Sequence, residues 1–197
     1  MKRLSVITMG LLVLGLTVSG CSQQMSGQAD AGWITLFDGS NLDNWNTIGN
    51  ANWRLVDGAV QADKGNGHLV SKNSYTDFQI RAEFWVDSDA NSGIFIRCTD
   101  PQKIGSATAY EVNIYDKRPD PTYGTGAIVN VAKASPMLKA GGQWNTLEIT
   151  AKGPQLSATL NGTPTVDGQD SKYASGPISL QYGAGVVKFR KVQIKPL

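Results

Sequence analysis

The stretch FQIRAEFWV, residues 78–86, alternates throughout. Phe78, Ile80, Ala82, Phe84 and Val86 fall in one phase, Gln79, Arg81, Glu83 and Trp85 in the other. An extended strand, whose side chains point to two faces in turn, sorts these residues into an apolar and a polar side. The same period returns in SGIFIRCT, AYEVNIYD, QWNTLEITAKG, QLSATLNGTPTVD, GPISLQYG and VKFRKVQIKPL, with Gly, Asn, Asp and Pro between the runs. No stretch holds a helical apolar period for three turns. Short strands with no helices to cover a sheet predict an all-β protein, a sandwich of two antiparallel sheets or a barrel. FQIRAEFWV and SGIFIRCT, joined by DSDAN, read as a hairpin, as do QWNTLEITAKG and QLSATLNGTPTVD around Lys152-Gly153-Pro154. A curved sandwich of this kind offers one concave outer face, a natural groove for an extended ligand.

The first residues are excluded from the fold. Lys2 and Arg3 precede the apolar run LSVITMGLLVLGL, which is short for a bilayer span and ends on VSGC. Small residues before Cys21 resemble the lipobox of bacterial lipoproteins, in which that Cys becomes the lipidated first residue; the alternative is an ordinary signal peptide with a chance Cys. The expected organisation is a lipoprotein signal over 1–20, a flexible tether over 21–32 and one domain over 33–197. Membrane association then runs through the lipid alone. In a Gram-negative cell, Ser22 resembles an outer-membrane sorting signal, which places the domain at the periplasmic face of that membrane. The chain carries 18 Lys and Arg against 16 Asp and Glu. Without Lys2 and Arg3 the charges balance, and no basic run marks a nucleic-acid footprint. Neutral, aromatic-bearing and exported suits an uncharged ligand such as a sugar.

Cys98 has no second cysteine once Cys21 is lipidated, and it reads as a small buried hydrophobe. His68, the single histidine, reads as a loop residue; with so little His and Cys, a zinc site of those ligands is excluded. The polar phases carry the candidate chemistry. Arg97 falls out of phase with Ile94, Ile96 and Cys98, and Glu111, Asn113 and Tyr115 do the same one strand later. If these strands are neighbours, Arg97 and Glu111 meet on one surface and can orient hydroxyls and transfer protons. An ordinary cross-strand ion pair on a solvated face explains the same pattern. The chain holds three Glu, residues 83, 111 and 148, and the E-x-D-x-x-E spacing of sandwich glucanases is absent. DSDANSG resembles a calcium loop but has Ser92 and Cys98 where Gly and Glu are required, so a turn is expected. Trp85 shares the outward phase of Glu83 and is the candidate stacking platform; Trp45 closes the sandwich edge.

GWITLFDGSNLDNW, WRLVDGAVQA, HLVSK, DFQIRAEFWV, NSGIFIR, YEVNIYD, TGAI, GQWNTLEITAKG, LNGTPTVD, GPISLQ and FRKVQI, in this order, resemble the 3-keto-disaccharide hydrolase domain family. The resemblance implies a concanavalin A-like jelly roll and action on glycosides oxidised at the sugar C3 hydroxyl. A C3 ketone acidifies the C2–H, so the glycosidic bond leaves by elimination and water adds afterwards; one base and an enolate-stabilising group suffice. By motif position Arg97, Glu111, Asn113 and Asp116 line the groove. Glu111 is expected to move the proton, with Arg97 polarising the ketone or pairing with Glu111, and Tyr115, Gln181, Tyr182 and Trp85 to contact sugar. Family members read close to LQDHG where this chain has LQYGA, so Tyr182 and Gly183 replace Asp and His while Gln181 and Arg190 are kept. The chain therefore either cleaves, using Tyr182 or His68 instead, or is a non-catalytic carbohydrate-binding lipoprotein of the envelope. No cofactor is expected, and a divalent metal stays open.

Overall fold

The computed structural model describes residues 31–197, of which Gly32–Leu197 form one compact unit. The export signal, the lipidation of Cys21 and all but the last two tether residues lie outside the described residues. The strands are β1 (Ile34–Phe37), β2 (Trp45–Gly49), β3 (Arg54–Val56), β4 (Ala59–Ala62), β5 (Gly67–Tyr75), β6 (Phe78–Val86) and β7 (Asn91–Ile96). After β8 (Tyr110–Ile114) comes a long irregular segment with one short 3-10 turn, Pro121–Tyr123. The chain ends with β9 (Trp144–Lys152), β10 (Gln155–Leu160), β11 (Thr163–Gln169), β12 (Gly176–Ala184) and β13 (Val187–Pro196).

These strands form two antiparallel sheets packed as a concanavalin A-like jelly roll. The larger runs β11-β10-β9-β6-β13-β4-β3, with β1 beside the far half of β13; the smaller runs β2-β5-β12-β7-β8. The apolar phases of both sheets meet in one core, in which Phe78, Ile80, Ala82 and Phe84 from β6 face Leu69, Ile94, Val112 and Leu180, all 0% exposed. In the larger sheet this gives one face dry and the other wet, as the alternation calls for, whereas in the smaller sheet much of the outer face of β7 and β8 is buried as well.

One expected pairing is corrected. β6 and β7 are not a hairpin: β6 pairs with β9 and β13, whereas β7 pairs with β8 and β12 in the other sheet. The Asp87–Ala90 turn carries the chain across the sandwich. The Asp87 carboxylate holds that crossing, accepting from the Asp89 N–H at 3.0 Å and the Val186 N–H at 2.9 Å. The β9–β10 hairpin forms, and its second arm folds again at Asn161-Gly162 to give β11. Both turn residues have positive φ, 51° and 78°, as a tight hairpin turn of the right twist requires.

Candidate functional site

Antiparallel register decides which side chains share the outer face of the smaller sheet. One row crosses it as Ile48, His68, Gln181, Gly93 and Asn113, and the next as Asn46, Val70, Ser179, Phe95 and Glu111. Directly paired residues project to the same side, so Glu111, Asn113, Gln181 and His68 gather on one surface. Gly93 lies at its centre. A Cβ there would stand 3.5 Å from Gln181 Oε1 and 3.5 Å from Glu111 Cγ, so both side chains lean over a notch that only the missing Cβ leaves open.

Burial tunes this surface. The Glu111 carboxylate makes no hydrogen bond with the described residues, and burial pushes its pKa up, while the charge of Arg118 draws it partly back. Gln181 Oε1 and Asn113 Oδ1 are buried acceptors that receive no donor among the described residues. Such orphaned oxygens are uncommon and ask for a donor from elsewhere. The Asn113 amide is fixed by donating from Nδ2 to the Tyr123 carbonyl at 2.7 Å. Beside Gln181, His68 is 9% exposed, with Nδ1 2.9 Å from Ser179 Oγ and its ring edge-on to Phe95 at 5.4 Å. Burial lowers its pKa to about 4, so the imidazole is neutral at physiological pH.

Loops frame the surface from two sides. Ile104, Cys98 and Ala109 pack over Phe95 and cover the middle of the second row. Beyond that cover the same face holds a cavity of about 480 Å³, lined by Asn46, Ile48, Val70, Lys72, Thr99 and Gln102 among others. It lies about three strand spacings, roughly 14 Å, from Glu111. On the other side, the segment after β8 returns to its edge, with the Val129 N–H donating to the Glu111 carbonyl and the Gly126 N–H to that of Asn113. The smaller sheet therefore ends in protein rather than in an open edge.

Several expected site residues lie elsewhere. Arg97 does not point outward with Phe95. Its backbone takes φ 53°, which breaks the strand phase, and its side chain is buried beyond the sheet end. There Nε donates to the Thr76 carbonyl at 2.8 Å, Nη1 to those of Gly153 at 2.8 Å and Tyr173 at 3.2 Å, and Nη2 to Asp77 Oδ1 at 3.0 Å. The residue is a clamp between loops and does not meet Glu111. Asp116 is likewise engaged: it accepts from Thr125 Oγ1 at 2.5 Å and from the N–H groups of Ala140 and Gly141, both at 2.9 Å, tying the loop before β9 in place. Tyr182 points into the core, edge-on to Trp53, with its hydroxyl donating to the Gly185 carbonyl at 3.0 Å. Trp85 is on the outer face of the larger sheet, on the far side of the sandwich, beneath the Lys188 ammonium at 4.9 Å. Tyr115 stands just past the end of β8, half-buried.

Gly93 and Ser179 are the site residues that motif reading passed over, and His68, expected in a loop and named only as a stand-in for the missing family His, stands beside them. His68 is no loop residue but sits within β5, and its phase against Leu69 carried that information. Cys98 is buried as expected, its thiol pushed up to about 12 by burial. No cluster of three or more His, Cys, Asp and Glu able to hold a metal occurs among the described residues.

Comparison with known proteins places the chain. Residues 32–195 match the model of the 3-keto-alpha-glucoside-1,2-lyase-like domain, and the chain belongs to that family. A 3-keto-disaccharide hydrolase of Bacteroides thetaiotaomicron is 28% identical over 160 residues, 65% of this chain and 55% of the relative. The chain thus spans about half the length of that curated relative. Among solved structures, a Parabacteroides distasonis protein classed by name with the glycosyl hydrolases superposes with a TM-score of 0.79 at 18% identity, covering 89% of this chain and 98% of the other. A second such protein from the same organism gives 0.69 at 26% identity, covering 84% and 99%.

Proposed function

We propose that this member of the 3-keto-alpha-glucoside-1,2-lyase-like family cleaves glycosides that carry a ketone at C3, by elimination followed by hydration. The observation that carries the proposal is the Gly93 notch. Two buried acceptor oxygens without donors, Gln181 Oε1 and Asn113 Oδ1, flank it beside a desolvated carboxylate. Sugar hydroxyls are the donors that such acceptors lack.

In this reading Glu111 is the base. Desolvation raises its proton affinity toward what a weakly acidic C2–H demands, as general-base catalysis requires. The carboxylate takes the C2 proton, and the C–H electrons form the enolate of the C3 ketone. Collapse of the enolate expels the C1 oxygen, which leaves with the proton Glu111 has gained, and a C1–C2 double bond conjugated to the ketone remains. Water then adds, hydroxide to C1 and a proton to C2, giving the free 3-keto sugar. Gln181 and neutral His68, adjacent in the same row, are the groups placed to hold the sugar and steady the enolate oxygen. His68 thereby supplies, from β5, the imidazole that family members carry two residues after Gln181, where this chain has Gly183. The protein acts as an envelope lipoprotein anchored through Cys21.

The test is to incubate the purified protein with 3-keto-sucrose or methyl 3-keto-glucoside, with and without chelator, and follow release of free sugar. Turnover that disappears in folded Glu111→Gln is expected. Saturable sugar binding without turnover would instead make the domain a carbohydrate-binding module, and undiminished turnover in Glu111→Gln would remove the base assignment.

A further inference from the structure

The outer face of the larger sheet, opposite the candidate site, carries a strip of a different kind. Trp85 and Trp144 are direct partners across β6 and β9, so their indoles stand side by side. Trp144 is 38% exposed, with the Arg190 guanidinium 3.9 Å from its ring centroid. Nε of Arg190 donates to Glu83 at 2.7 Å, which fixes the cation against the ring. About four residues along the same strands, roughly 14 Å away, the Arg81 guanidinium lies over the Trp33 ring at 4.4 Å. Between these aromatic ends are two depressions of about 190 and 210 Å³ that share Glu148. The first is lined by Arg81, Glu83, Thr146 and Lys191, the second by Trp33, Gln79, Ser157 and Thr159 among others.

Lys191 enters this strip by an irregular route. Register shifts between Arg190 and Val192, and Lys191 takes φ 47°, so both basic residues reach the outer face from consecutive positions. A bulge with a non-glycine residue in the left-handed region costs stability and re-aims a side chain, which is why such features gather at binding surfaces.

The geometry points to a second carbohydrate-binding surface here, for an uncharged, unoxidised glycan chain laid along β6 and β9. Trp144 at one end and Trp33 at the other each have one face taken by a guanidinium and offer the rest of the indole to a sugar ring. Between them donors and acceptors alternate within depressions, which matches a ladder of hydroxyls. A polyanion fits less well, because Glu83 and Glu148 stand in the middle of its path while Arg81 and Arg190 are already engaged by Gln193 and Glu83; a membrane surface fits less well, because the strip is polar between its aromatic ends. The surface shares no residue with the Gly93 notch and lies on the other side of the core. Binding there is therefore independent of cleavage: the chain can hold an intact glycan on one face while working on an oxidised sugar at the other.

The test uses the full chain and calorimetric titration with cellohexaose and maltohexaose, beside polygalacturonate and anionic phospholipid vesicles. Saturable binding of at least one hexasaccharide is expected. Trp144→Ala should weaken it about tenfold or more, Trp144→Phe much less, and Glu148→Gln to an intermediate degree. Glu111→Gln should leave this binding unchanged, and Trp144→Ala should leave turnover of 3-keto-sucrose unchanged. The proposal is overturned if neither hexasaccharide binds, or if only polygalacturonate or vesicles do. It is equally overturned if Gln181→Ala abolishes hexasaccharide binding while Trp144→Ala does not.

Discussion

Replacing Arg97 by Met keeps an unbranched apolar stem and removes the donors, and it separates a clamp from a catalyst. In the fold Arg97 is 1% exposed, and its guanidinium serves three backbone carbonyls and the Asp77 carboxylate. Removing it strands those acceptors. An unsatisfied buried group costs about 1–3 kcal/mol, and breaking a buried charged pair from one side costs about 3–5 kcal/mol. Asp77 is 36% exposed at its side chain and recovers water, so its share is discounted. The carbonyls of Thr76 and Gly153 belong to exposed turn residues and also regain water, whereas that of Tyr173 has no such freedom at the buried end. A loss of about 2–3 kcal/mol results, a sizeable part of the ~5–15 kcal/mol that holds a domain of this size together. With a urea dependence of about 2 kcal/mol/M, the unfolding midpoint should fall by roughly 1–1.5 M. Arg97→Lys keeps the charge for Asp77 but cannot span three carbonyls, so it should fall between the two. The measurement is equilibrium urea unfolding followed by tryptophan fluorescence, run beside turnover of a 3-keto-glucoside. If Arg97→Met unfolds at the wild-type midpoint yet loses turnover, Arg97 acts on the chemistry and its description as a clamp is wrong.

Other consequences are open to measurement. Because burial lowers the His68 pKa from 6.5 to about 4, the unfolded chain binds its proton first as pH falls. Stability should decline between pH 6.5 and 4 by about 3 kcal/mol, and thermal melts of His68→Gln should show a flatter acid limb. Glu111 shifts the other way: its raised folded value means that ionising it as pH rises above 4.5 costs stability, so Glu111→Gln should be the more stable protein at pH 7 and lose that advantage below pH 4.5. The same shift sets kcat/KM, which should rise with pH through an apparent pKa above the ordinary carboxylate value. Gly93→Ala fills the notch, its Cβ meeting the Val112 carbonyl at 3.1 Å. It should fold with a loss of about 1 kcal/mol and raise KM for the 3-keto substrate several-fold. The Cys98 thiol, held up to about 12 by burial, should resist labelling by a thiol reagent until the protein is unfolded.

What the sequence determined by itself was the content of each strand and the face each residue takes within it. The β6 alternation is reproduced residue for residue in its burial, and Glu111 and Gln181 stand on the wet side, where the period of two puts them. That information is local, because successive side chains on any strand oppose one another whatever the strand pairs with. Which strands pair is a non-local matter, and there the chain alone was ambiguous. β6 and β7 read as a hairpin and parted into different sheets, since each apolar phase is satisfied equally well by the shared core from either side. The same holds for the site. His68, Gln181 and Gly93 come from strands far apart in the chain, and only the register of β5, β12 and β7 sets them in one row. Arg97 and Tyr182 show the converse. Arg97 leaves the alternation at a single left-handed residue and finds its partners in three distant loops; Tyr182 holds its phase, and that phase faces the core. Periodicity sorts residues into two faces; the tertiary pairing decides which faces meet and which side chains are left free to act.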